Sequence, residues 1–308
     1  MGADQQADQR ADDQADQQAD RQAGRQAGSG GTDALFVREG PAYVATHLTQ
    51  GPWNPAHQHG GPVSALLAHL VGRVPTLVPM RCGRLTVDLM RAVPVARLEG
   101  VTRVVREGKR VQVVEAALLH DGTEVARASA LRIRTADSAG ALDHPRRPDE
   151  SPPPPPTGTD ESVLARAGLP VPGFLVALDM HRVTGGLGLG APACTWFRLH
   201  VPVVAGEPTT PFERLAAMAD FTSGTANFLP VDRWSSINAD ISLHVLREPV
   251  GDWIAVDAVA HVAGDGIGHS VARLYDGIGL VGTGTTAQVV DEVASPFARA
   301  ARLAGELG

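Results

Sequence analysis

The chain has 308 residues, 43% of them apolar, enough to bury the cores of two packed domains of roughly 100–150 residues each. A formal net charge of -7 argues against a nucleic-acid binder, whose phosphate contacts need a basic face. No apolar run approaches the ~20 residues of a membrane span, and the N-terminus lacks a secretory apolar stretch. Only Cys82 and Cys194 occur, far apart, so a reduced cytoplasmic setting is expected.

Residues 1–33 consist almost wholly of Asp, Gln, Ala, Arg and Gly, with no large apolar residue after Met1. Nothing there offsets the entropy of ordering, so this segment reads as a disordered low-complexity tail. Tyr43-Val-Ala-Thr-His-Leu48 alternates as a strand does. The loop Gly51–Gly61 follows, and Pro62 is expected to open a helix whose apolar stripe is Val63, Leu66, Leu67, Leu70 and Val74. Strands are expected over 84–91, 98–106, 111–119 and 124–134, with turns at Gly108-Lys109 and Asp121-Gly122. From 136 to 172, His144-Pro-Arg-Arg-Pro148 and Pro152–Pro156 cannot pair in a sheet and mark a Pro-rich linker.

After the linker the same grammar returns. Thr195–Val201 reads as a strand, and Pro211 opens a helix with Phe212, Leu215, Ala216 and Ala219 on one face. Strands follow near 238–247, 252–263, 267–275 and 279–290, and residues 293–308 read as a short Ala/Arg-rich helix. Two segments echo each other about 155 residues apart: Arg84-Leu-Thr-Val-Asp-Leu-Met-Arg91 and Asp240-Ile-Ser-Leu-His-Val-Leu-Arg247. The turns His120-Asp121-Gly122 and Tyr275-Asp276-Gly277 echo likewise. A helix followed by an antiparallel sheet that wraps it is the hot-dog arrangement. Two copies, over 34–135 and 173–292, predict an α+β double hot-dog, the fused halves of an ancestral homodimer.

Several patterns carry chemistry and compete. Gly268-His-Ser-Val-Ala272 is close to the G-x-S-x-G elbow of serine esterases, but Ser270 continues into strand alternation and the last glycine is missing. Gly186-Leu-Gly-Leu-Gly190 lies outside any parallel strand–helix unit and reads as a flexible loop, not a nucleotide site. His57 and His59 have no third ligand at metal spacing. Asn54-Pro55-Ala56-His57 matches half of the Asp-x-Asn-Pro-x-His motif of hot-dog enoyl-CoA hydratases, with Pro52 where the Asp would stand.

Asp220 falls on the apolar stripe of the second helix, four residues after Ala216 and eight after Phe212. A carboxylate there costs several kcal/mol of desolvation unless it is hydrogen-bonded or paired. Either it is a general base that deprotonates water, or the helix ends there and Asp220 caps the turn into Phe221-Thr-Ser-Gly224. On the next strand, Asn238, Asp240, Ser242 and His244 are expected to share a face. On the last strand, Thr286 and Gln288 do so. Their amide and hydroxyl groups could hold a water beside Asp220. His59-Gly60-Gly61, before the first helix, offers backbone N–H groups to an oxyanion, or else is a plain turn.

These residues resemble the type II acyl-CoA thioesterases of the thioesterase-like double hot-dog superfamily. The resemblance covers roughly 35–135 and 173–292. It rests on His59-Gly-Gly-Pro-Val63, Arg106-Glu-Gly-Lys-Arg110, Met218-Ala-Asp220, Asn227-Phe-Leu-Pro230, Asn238-Ala-Asp-Ile-Ser242 and Arg247-Glu-Pro249. It implies a catalytic Asp on the second helix, a Thr on the following strand and a Gln on the last. Asp220 matches the first; Asn238 stands at the Thr position; Thr286 aligns with the Gln position by count, with Gln288 two residues on. It further implies hydrolysis of acyl-CoA or acyl-carrier thioesters by activated water, with no cofactor, and leaves homo-oligomerisation open. The alternatives are a catalytically silent acyl-CoA or acyl-carrier binding module and the hydratase.

Overall fold

The computed structural model describes residues 33–143, 150–160, 171–186, 190–230 and 233–292. The tail to residue 32, parts of the linker, residues 187–189 of the glycine-rich loop and the expected helix over 293–308 lie outside them.

The described residues form one antiparallel sheet of thirteen strands: β1 Phe36–Glu39, β2 Ala42–Ala45, β3 Met80–Asp88, β4 Arg97–Arg106, β5 Val111–His120, β6 Thr123–Arg134, β7 Leu178–Gly186, β8 Gly190–Leu199, β9 Trp234–Asn238, β10 Asp240–Val245, β11 Trp253–Val262, β12 Ile267–Asp276 and β13 Gly279–Glu292. The helices are α1 Gly60–Gly72, α2 Gly173–Val176, α3 Pro211–Ala219 and α4 Phe221–Ala226. Strand order is β1-β2-β4-β5-β6-β3-β10-β13-β12-β11-β8-β7, with β9 paired to β13. Leaving aside the edge strands β1 and β7 and the short β9, the first half runs inward β2-β4-β5-β6-β3 and the second β8-β11-β12-β13-β10. Each lists its five strands in the chain order first, third, fourth, fifth, second. The halves join where the two echoed segments pair with one another, Arg84 opposite His244, Thr86 opposite Ser242 and Asp88 opposite Asp240. This is the double hot-dog.

Helix α1 is buried from Gly61 to Val71 because it lies among β3–β6 on one side and α3 on the other. It begins two residues before Pro62: the first N–H groups of a helix need no preceding carbonyl, and His59 serves as N-cap. Helix α3 starts at Pro211 behind a capping box, in which the Thr210 hydroxyl accepts from Glu213 N at 3.2 Å and the Glu213 carboxylate accepts from Thr210 N at 2.9 Å. Its buried stripe of Leu215, Ala216 and Ala219 joins the same core as α1, so one core serves both halves.

Three expectations need correction. The strand from Tyr43 stops at Ala45, because Thr46 caps a 3₁₀ turn, its hydroxyl accepting from Leu48 N at 3.2 Å. The strand expected over 238–247 breaks at Ala239, whose N–H goes to Ala287 O while its own carbonyl accepts from Leu89 N. That break inverts the alternation. Ile241 and Leu243 are buried, so Asp240, Ser242 and His244 point the other way and do not share a face with Asn238 as expected. The Pro-rich linker also packs where it is described. On the face of β8 opposite Phe197, Trp196 is fully buried with Cys194, Ala255 and Tyr275, and its indole donates to Pro154 O at 2.7 Å.

Candidate active site

Between α1, α4 and the strands β8, β9 and β13 lies a cavity of about 420 Å³. Both halves line it: His59, Gly60 and Val63 from the first, Asp220, Phe221, Asn238 and Gln288 from the second. Most of its wall is apolar, as an acyl chain requires.

Asp220 sits at the break between α3 and α4, with helical backbone angles (φ -65°, ψ -27°) but no side-chain capping bond. The helix does end there, as the capping alternative expected, but the Asp220 side chain does not cap the turn. The carboxylate is 4% exposed and is held on both oxygens. Oδ1 accepts from Asn238 Nδ2 at 2.7 Å, and Oδ2 lies 2.5 Å from His59 Nδ1. The helix break also frees the Asp220 backbone carbonyl, which accepts from the same Asn238 amide at 3.2 Å. Asn238 thus grips residue 220 twice.

Gly60 explains how α1 approaches so closely. A Cβ there would lie 2.6 Å from Asp220 Oδ1 and 2.9 Å from its Cγ. Gly61 has a different role: its missing Cβ makes room for the Phe174 ring and the Ala217 carbonyl. It supports helix packing and does not line the cavity. Of the expected oxyanion donors, Gly60 is on the wall and Gly61 behind it.

Gln288 faces Asn238 across the β9–β13 ladder, so the two side chains emerge on one face. Its amide is fixed at both ends: Oε1 accepts from Ser270 Oγ at 3.0 Å, and Nε2 donates to Ser236 Oγ at 2.9 Å. Thr286 shares the buried face of β13 but does not line the cavity, and its hydroxyl has no hydrogen-bond partner among the described residues. The structure therefore brings Asp220, Asn238, Gln288, His59 and Gly60 together and leaves Thr286 outside.

Ser270 is fully buried in the middle of β12 as a donor to Gln288, which removes the serine-elbow alternative. Burial pushes both thiols, Cys82 and Cys194, up to about 12, and neither lines the cavity, so neither is a nucleophile at neutral pH. Asn54 and His57 lie on the cavity rim, with Pro52 beside them and no carboxylate in its place.

Sequence reasoning missed four participants. Ser236 and Ser270 brace Gln288; the first stands two residues before Asn238 on the same strand face, a spacing that pointed to it. Phe174 and Phe221 stack on each other and pack together against the His59 ring at 5.0 and 5.1 Å between centroids. It also assigned 59–61 by backbone alone, whereas the His59 imidazole itself meets Asp220.

Two family models match this chain: the acyl-CoA thioesterase N-terminal domain over residues 49–133 and the acyl-CoA thioesterase C-terminal domain over residues 148–290. The chain belongs to the acyl-CoA thioesterase family. The order of the two domains matches the order of the two hot-dog halves, and the site spans both. This thioesterase hydrolyses acyl-CoA thioesters. No curated protein matches it in sequence. Solved structures share its fold at low identity. A hot-dog protein from Alicyclobacillus acidocaldarius is 17% identical, with a TM-score of 0.64 over 85% of this chain and 97% of that one. An acyl-CoA thioesterase II from Mycobacterium marinum is 17% identical, with a TM-score of 0.58 over the same shares. A tesB protein from Mycobacterium avium subsp. paratuberculosis is 16% identical, with a TM-score of 0.57 over 83% and 96%. No helix among the described residues is long and apolar enough to cross a membrane.

Proposed function

We propose that the thioesterase works by direct attack of a water molecule that Asp220 deprotonates. The observation that carries this reading is a buried carboxylate fixed on both oxygens on the wall of an apolar cavity. Among the described residues its one ionisable partner is His59, no Lys or Arg pairs with it, and each oxygen keeps a lone pair beyond its one partner. Asn238 holds the carboxylate, and Gln288, opposite it across the ladder, directs an amide at the attacking water. The Gly60 N–H, first in α1 and without a carbonyl partner inside the helix, receives the developing oxyanion. The acyl chain occupies the apolar part of the cavity, and the carrier leaves by the rim near Trp53 and Arg91.

The test is Asp220→Asn, which keeps size and one of the two accepted hydrogen bonds but removes the proton acceptor. Thiol release from acyl-CoA is expected to fall by about 10²–10⁴, and thermal unfolding of the same sample shows that the variant is folded. A variant that keeps wild-type turnover would sink the reading.

A further inference from the structure

The side chain that the water mechanism does not use is His59. Its Nδ1 lies 2.5 Å from Asp220 Oδ2, a separation at which a carboxylate oxygen and an imidazole nitrogen must share a proton, since two lone pairs would repel. Nδ1 also lies 3.3 Å from Gly61 N, too long to compete with that contact. On the far side of the ring, Nε2 makes no hydrogen bond among the described residues, and His59 lines the cavity. The rings of Phe174 and Phe221, 5.8 Å apart and stacked on each other, pack together against the imidazole with centroids 5.0 and 5.1 Å from its own. Asn238 holds the other oxygen of Asp220, so the carboxylate cannot turn away. The imidazole is thus a rigid bridge from the general base to the cavity, and its open end is a nitrogen.

We infer that His59 is the acid of the reaction, delivering a proton from Nε2 to the departing sulfur. The inference rests on the role proposed for Asp220 and adds the second half of the proton balance. In the starting state Asp220 is a carboxylate and His59 an imidazolium, with one proton on Nδ1 toward Oδ2 and one on Nε2 toward the cavity. As the water oxygen bonds to the acyl carbon, a water proton passes to the Asp220 carboxylate. As the C–S bond breaks, its electron pair stays on sulfur and takes the Nε2 proton, so the carrier leaves as a thiol. The product acid forms, and the pair is left as carboxylic acid and neutral imidazole. It holds the same number of protons, and exchange with water at the cavity rim restores its charges. A helix N-cap alone explains none of this, because capping uses Nδ1 as an acceptor and makes no demand on Nε2.

The experiment compares leaving groups. His59→Gln, and His59→Asn as a second variant with a strong N-cap residue, are assayed on one acyl group carried by two truncated thiols. One thiol is N-acetylcysteamine, an alkyl thiol that leaves poorly without a proton. The other is a nitro-substituted aryl thiol, acidic enough to leave as the thiolate. The expected result is a loss of about 10²–10⁴ in kcat on the alkyl thioester and less than about tenfold on the aryl one, in whichever variant retains the wild-type melt. Equal losses on both substrates would make His59 a merely structural partner of Asp220 and overturn the inference, as would full activity on both. Asp220→Asn run in parallel separates the two readings. It is expected to lose activity on both thioesters, since water must be deprotonated whatever leaves. Its survival on both would break the water mechanism and not the leaving-group result.

Discussion

A single methyl group at Gly60 tests how tightly the two halves are fitted at the site. The Cβ of Gly60→Ala would lie 2.6, 2.9 and 3.0 Å from Oδ1, Cγ and Oδ2 of Asp220, where ordinary contact begins at 3.4 Å. Neither side yields easily. Residue 60 starts a helix that is buried from Gly61 to Val71, and Asp220 is held by His59 at 2.5 Å and Asn238 at 2.7 Å. The carboxylate must move most of an ångström and give up one of these bonds. Overpacking of this kind costs about 1–3 kcal/mol, and a 1 Å misplacement of a reacting group costs on the order of 10²-fold in rate. The assay is acyl-CoA hydrolysis together with thermal unfolding, for Gly60→Ala, Asp220→Ala and the double variant. Removing the carboxylate removes the obstacle, so the stability cost of the Gly60 methyl is expected to shrink by at least about 1 kcal/mol in the Asp220→Ala background. Wild-type turnover in Gly60→Ala, or strictly additive stability costs, would refute the contact.

Three further outcomes follow from the structure. Asp276 is fully buried against Arg247 at 2.5 and 2.6 Å and accepts from Val250 N and Ile278 N; burial pushes its pKa up, but these partners outweigh it and hold it below the usual carboxylate range. Asp276→Asn is expected to cost roughly 3–5 kcal/mol in urea unfolding at pH 7. Because the folded pKa is lowered, this stability is present above the unfolded value near 4 and lost below it, so the gap to wild type narrows as pH falls through about 4; a constant gap would contradict the assignment. A fragment of residues 34–172 leaves β3 without β10 and α1 without α3, and is expected to aggregate or self-associate in size-exclusion chromatography; a well-behaved monomer would refute the shared core. Cys194 is buried and its thiol is pushed up to about 12, so a thiol reagent at pH 8 is expected not to label it until denaturant is added; prompt labelling of Cys194 in the native protein would contradict this.

The repeat, the helix-then-sheet grammar and most strands were legible because each half alternates cleanly and is punctuated by Gly and Pro. β1 and β7 were not. They are outer strands of the sheet, and their residues do not alternate cleanly enough between core and solvent to stand out. The break at Ala239 left no local mark either, since only pairing with Ala287 and Leu89 forces it. At the site, Asp220 could be read from its place on an apolar stripe and Gln288 from strand parity, whereas Asn238 came from the resemblance, because the parity that grouped it with Asp240 is broken at Ala239. Gly60 was read as an oxyanion donor, but its contact with Asp220 joins two halves about 160 residues apart in the chain, beyond any periodicity. The same holds for His59, whose local signal was that of a turn before a helix.

The claim that most needs a direct measurement is that water attacks the thioester itself and Asp220 serves as base, not as nucleophile. A single turnover with enzyme in excess over acyl-CoA in ¹⁸O-water, read by mass spectrometry of the released acid and of the peptide containing Asp220, with hydroxylamine added in a parallel sample to trap any acyl-Asp220 anhydride, tests this. The account predicts one ¹⁸O atom in the carboxylate of the product and none in Asp220. Unlabelled acid from the first turnover, with ¹⁸O appearing in the Asp220 side chain, would mean that Asp220 attacks the acyl carbon and that the account is wrong.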